Sequence, residues 1–134
     1  MPSLTEDRNT PRRGATVQVG DTVAAAIMAG AMYTLDATGA AKPSVAADKK
    51  PVRAVATCRA AVGDSLVRGE RSTFRFDNSA GAAEIKRADI GANAYVADDH
   101  TVAKTGSSIA GEVIDVDDVG VWVAIGTAAV PTTA

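Results

Sequence analysis

Chemistry-bearing side chains are scarce in this 134-residue chain: one Cys, one His, one Trp, two Tyr and two Phe. A single cysteine, Cys58, excludes an internal disulfide and any metal site built from paired thiolates. Its flanks, AVATCRAAV, alternate with apolar residues and predict a small buried core position rather than a reactive thiol. One histidine, His100, and no GxSxG leave nucleophilic triads with nothing to assemble from. Neither a P-loop nor a GxGxxG occurs. No charge of one sign dominates, with 14 basic residues against 16 acidic and a net charge of -2, so a nucleic-acid partner is not expected. The basic residues (Lys49-Lys50, Arg68, Arg71, Arg75, Lys86-Arg87) are scattered and do not interleave with aromatics as a base-stacking surface requires. The longest apolar run, Val23 to Leu35, is broken by Gly30 and Thr34 and falls short of the roughly 20 residues that span a bilayer. The first residues lack the apolar stretch of a secretory signal. No catalytic activity, cofactor, metal or membrane is therefore expected.

What is present is β pattern. Val119, Val121, Val123 and Ile125 alternate with Gly120, Trp122 and Ala124, the period of two of a strand. Val113, Ile114 and Val116 supply its partner, and Asp117-Asp118 stands where the chain must reverse. Both faces of this pair carry apolar residues, so Val119, Val121, Trp122, Val123 and Ile125 are expected at core or subunit-interface positions.

Earlier, ATVQV alternates and stops at Gly20-Asp21. Val23 to Met28 reads equally as a helical turn or a buried strand. AMYTLDATGAAKPS predicts a hairpin with Thr38-Gly39 at its tip. Residues 46–51 form a polar loop, followed by a strand from Val52 to Val62 and a turn at Gly63-Asp64. Leu66-Val67 begins another extended piece that Gly69-Glu70-Arg71 is expected to interrupt. STFRF sets Phe74 and Phe76 against Arg75. Ile85 to Gly91 suggests one short helical turn, with Gly91 as its stop. AYVADDHTVA predicts two short strands around Asp98-Asp99, and the tail after Gly126 is small and polar. Short strands separated by Gly, Asp and Pro predict an all-β fold, a compact β-sandwich or β-barrel with at most one short helix. The organisation expected is an extended N-terminal arm over 1–14, one β domain over 15–126 and a loose tail over 127–134.

The arm differs from the rest. Leu4 is its sizeable aliphatic after the initiator Met, and Glu6, Asp7, Arg8, Arg12 and Arg13 crowd around Asn9-Thr10-Pro11. Such a segment cannot bury enough apolar surface to fold by itself. It reads as an arm that orders on a neighbouring subunit, with Leu4, Arg8, Asn9, Thr10, Pro11, Arg12 and Arg13 as candidate contacts. Two acidic clusters invite metal readings and fail them. Asp98-Asp99-His100 is consecutive, which on a strand points side chains to opposite faces. Asp115, Asp117 and Asp118 lack the spacing of a calcium loop.

Taken in order, LTEDRNTPRR, MAGAMYTLDATGAAKPS, RFDNS, RADIGANAYVADDHTVAKT and AGEVIDVDDVGVWVAI resemble small capsid decoration (cement) proteins of tailed bacteriophages and Mu-like prophages. The resemblance runs from Leu4 to Ile125 and rests on the order and spacing of the motifs. It implies a β-tulip-like subunit on the virion exterior, made in the host cytoplasm, binding the major capsid protein and self-associating as a homotrimer. It carries no catalytic residues. Alternative roles are a head–tail joining or tail-tube component, or a small ligand-binding β-barrel.

Overall fold

A computed structural model describes residues 17–126, which form ten strands and three single-turn 3-10 segments, with no α-helix among them. The strands are β1 (Val17–Asp21), β2 (Met32–Leu35), β3 (Ala41–Pro43), β4 (Ala54–Ala56), β5 (Val67–Arg71), β6 (Thr73–Asn78), β7 (Asn93–Asp98), β8 (Thr101–Ala103), β9 (Ile109–Val116) and β10 (Val121–Ile125). Five of them form an antiparallel sheet in the order β1-β5-β4-β2-β3; the other five close into a barrel, β10-β6-β8-β7-β9, in which β6 and β8 run parallel. The all-β class matches the expectation, as a barrel with a sheet packed against it.

The barrel interior follows from strand periodicity. Val121, Val123 and Ile125 of β10 point inward and are buried, as are Phe76, Ala94, Val96, Val102, Ala110 and Val113 from the other staves. A five-stranded barrel is narrow enough for side chains to fill it without leaving a channel. Phe74 packs partly against this core, its ring 6.4 Å from that of Phe76.

At its centre, in β2 and β4, the sheet is buried on both faces. Met32 enters the barrel core while the next residue, Tyr33, enters a second cluster with Ile27, Ala31, Ala41, Ala54, Ala56, Ala60 and Val67. Consecutive residues of a strand face opposite sides. That second cluster explains the many alanines: small side chains let two loop segments lie close over the sheet around one large ring. Val23–Met28, left open between helix and strand, is neither. It crosses the sheet as an irregular segment tied by isolated bridges, Val23 to Ala41 and Ile27 to Ala60, the latter through two backbone hydrogen bonds of 2.9 Å.

Several expectations are corrected. Gly69-Glu70-Arg71 does not interrupt a strand but completes β5. The strand read from Val52 to Val62 shrinks to β4, and the chain beyond it leaves the sheet. Cys58 sits in that departing segment and is exposed, because alternation there reflects a loop draped over the sheet and not a strand. Val119 lies in the β9–β10 turn, 63% exposed, since β10 begins only at Val121. Ile114, opposite the Trp122–Val123 register shift, is the extra residue of a β-bulge and is exposed. The short turn expected in Ile85 to Gly91 is present as a 3-10 turn at Arg87–Asp89, and Gly91 follows it with φ +93°. Two further 3-10 turns, Ala46–Asp48 and Gly81–Ala83, complete the short turns of the described residues. Leu4, Arg8, Asn9, Thr10, Pro11, Arg12 and Arg13 lie outside the described residues, as does the tail beyond Gly126.

Candidate functional site

Three places bring polar chemistry together. The first is the outer wall of the β9–β10 hairpin. Asp117 holds the turn: its Oδ1 accepts hydrogen bonds from the backbone N–H of Val119 (2.8 Å) and Gly120 (2.9 Å). Its Oδ2 accepts the indole N–H of Trp122 at 2.9 Å, and the Arg75 guanidinium stands 5.8 Å from the centre of the same ring. The indole bond, then these backbone donors, hold the Asp117 carboxyl below its ordinary pKa. Trp122 is therefore not a core residue. It is partly buried on the barrel exterior, fixed in one orientation by a carboxylate at its edge and a cation at its face. Val121, Val123 and Ile125 of the same hairpin line the interior. Sequence alternation separates these two faces, but the Asp117–Trp122 link depends on the turn's geometry.

The second is the β7–β8 turn. Asp98, Asp99 and His100 do converge, contrary to the expectation of opposite faces, because the chain is reversing there and is not extended. His100 Nδ1 lies 2.9 Å from Asp99 Oδ1 and 3.0 Å from Asp98 Oδ1. One potential ligand atom from each residue falls within 4.8 Å of the others. The Asp99 hydrogen bond and the Asp98 charge raise the imidazole pKa above its usual value. Burial pushes the Asp98 carboxyl up, but the His100 backbone N–H, the Thr101 hydroxyl and the imidazolium charge outweigh it and leave it lowered. The His100 imidazole already contacts both carboxylates, and the turn's backbone is structural: Met32 N–H donates to Asp99 O (2.8 Å) and Asp77 N–H to His100 O (3.0 Å). The arrangement ties barrel to sheet.

The third was not foreseen. Asp21, read from the sequence as a turn residue, ends β1 with its side chain only 8% exposed. It accepts the Tyr33 hydroxyl at 2.8 Å and both Nε and Nη2 of Arg53 at 3.2 Å. Burial, then the bond to Asp21, drives the Tyr33 hydroxyl far above its ordinary pKa, so it stays a donor. Gly69 makes room for this phenol: a Cβ there would stand 2.1 Å from Tyr33 Oη. Beside the cluster opens a crevice of about 310 Å³ at the junction of sheet and barrel, its lining including Leu35, Lys50, Pro51, Arg53, Arg71 and Gly126. No spacing motif links Asp21, Tyr33 and Arg53, so nothing in the sequence marks them as partners.

The described residues thus define a β-barrel-plus-sheet protein in which no nucleophile is paired with a base in a cleft. No protein-family model, curated protein or solved structure matches the chain.

Proposed function

We propose that the protein is a structural subunit that binds the outside of a bacteriophage head and stabilises the capsid lattice, with residues 1–14 reaching onto neighbouring subunits. The observation that most favours this reading is the outer hairpin wall. Trp122 is held rigid by Asp117 and Arg75, and exposed Ile114 and Val119 lie on the same hairpin. A preorganised aromatic among exposed aliphatics is the usual anchor of a protein interface, because little side-chain freedom is lost on binding. The interior adds support, since apolar side chains from all five barrel strands pack into it. In this reading the partner is the major capsid protein, the subunit self-associates as a homotrimer on the virion exterior, and Arg8, Arg12 and Arg13 meet acidic groups of the lattice. Several weak contacts from one oligomer combine through effective concentration.

The test is co-sedimentation of the purified chain with expanded heads assembled from the major capsid protein encoded in the same genome. Saturable binding is expected. Removal of residues 1–13 is expected to leave the circular dichroism spectrum and melting cooperativity intact while binding falls steeply. Absence of binding by the intact chain refutes the function, and undiminished binding by the truncated chain refutes the role of the arm.

A further inference from the structure

The crevice beside Arg53 has a charge pattern that the described residues do not use. Three cations line it, and their heads are held very differently. Arg53 is committed to the buried Asp21 carboxylate. Lys50 Nζ reaches only the Leu35 carbonyl, at 3.4 Å, and Arg71 Nη2 donates to the Gly126 carbonyl at 2.8 Å. Leu35 and Gly126 both line the crevice, so these contacts place the two charged heads at its rim. Among the described residues neither Lys50 nor Arg71 forms an ion pair. The nearby Asp36 carboxylate feels Lys50 but is occupied by the Thr38 hydroxyl (2.6 Å) and the backbone N–H groups of Thr38 (2.8 Å) and Ala40 (3.0 Å). The same lining carries an apolar strip of Leu35 and Pro51, with Val52 2% exposed.

We infer that this crevice is a docking site for a glutamate side chain carried on an extended segment of a partner protein. The charge complementarity is direct: Asp21 offsets one of the three cations, and the other two point their donors at neutral carbonyls that a carboxylate outcompetes, because bonds between charged groups are the stronger ones. The apolar strip selects the occupant further. A small free anion meeting exposed cations gains little in water. A glutamate lays its two methylenes and its flanking aliphatic neighbours on Leu35 and Pro51, adding buried apolar area to the charge contact. The Arg71 guanidinium is prepositioned for this, lying across Gly126, where a Cβ would come within 2.2 Å of its nitrogens. This inference stands independently of the capsid reading.

The experiment uses the full-length, isotope-labelled chain and three probes: the peptide acetyl-Ala-Val-Glu-Val-Ala-amide, its Gln analogue, and sodium acetate. The Glu peptide is expected to shift the amide resonances around Leu35, Val52, Arg53, Arg71 and Gly126 saturably. The Gln analogue and acetate are expected to bind about tenfold or more weakly, the change one strong charge contact makes. Lys50 is solvent-facing, so Lys50→Glu leaves the fold intact, a point the same spectra check; it is expected to abolish binding of the Glu peptide. Equal binding of the Glu and Gln peptides, acetate binding as tightly as the Glu peptide, shifts confined to other surfaces, or unchanged affinity in Lys50→Glu would each overturn the inference.

Discussion

Replacing Gly69 by alanine tests the packing of the sheet's second core with a single methyl group. The new Cβ would stand 2.1 Å from Tyr33 Oη and 2.8 Å from both Tyr33 Cε2 and Ala54 Cβ. Ala54 is fixed in the central strand β4, so the phenol must move, and moving it breaks the 2.8 Å bond to Asp21. A hydrogen bond to a charged acceptor contributes about 1.5–3 kcal/mol, and overpacking a core costs about 1–3 kcal/mol. Gly69→Ala should therefore destabilise by about 4 kcal/mol and lower the melting temperature by roughly 12 °C for a chain of this size. Tyr33→Phe alone should cost about 2 kcal/mol, the bond without the crowding. In the Tyr33→Phe background the 2.1 Å clash no longer exists, and the alanine should cost only about 2 kcal/mol, from the remaining contacts. Urea denaturation of the four proteins closes the cycle, with an expected coupling of about 2 kcal/mol. Additivity within about 0.5 kcal/mol would refute the reasoning, because it would mean that the methyl and the hydroxyl do not compete for one space.

Other outcomes follow from the same geometry. Val123→Ala, at a fully buried barrel position, should cost about 2 kcal/mol in urea denaturation, whereas Trp122→Ala should cost about 1 kcal/mol and weaken head binding more than stability; the opposite ranking would place Trp122 in the core. The His100 ring, followed by NMR, should titrate above 6.5, and Asp99→Asn should bring it down toward that value. Because the folded state holds this proton more tightly, its stabilising contribution is complete below the unfolded pKa and disappears as pH rises through the raised folded one. A titration at or below 6.5 contradicts the Asp99 contact. Cys58 should react fully with a thiol reagent in the native protein, with no dependence on urea; labelling that appears only on unfolding contradicts its exposure.

Where alternation met a tight turn, the sequence was a reliable guide. The hairpin over 32–43 and the β9–β10 pair lie where apolar alternation is punctuated by Asp and Gly, and Asp36 and Asp117 close their turns by accepting backbone N–H groups within four residues. Where alternation arose from other causes, the reading failed. The apolar rhythm around Cys58 belongs to a loop lying over alanines, and the glycine in β5 marks room for a phenol and not a break. Of the candidate site, the aromatic on the hairpin was legible; its fixed orientation was not, because that needs the Asp117 carboxylate brought back across the turn. The first 14 residues are conspicuous by composition alone, with Glu6, Asp7, Arg8, Arg12 and Arg13 crowded around Pro11.

By itself the sequence determined the all-β class and the position of the principal turns, because strand periodicity and turn chemistry act between residues a few positions apart; which of Val119 to Ile125 face inward was left to the structure. Only the tertiary structure decided that five strands close into a barrel while five others form a sheet whose central strands are buried on both faces. It alone joined Asp21 to Tyr33 and Arg53, and gathered Lys50 and Arg71 at one crevice. These are pairings between distant segments, settled by which surfaces fit when Met32 and Tyr33 turn to opposite cores, and no local pattern encodes them.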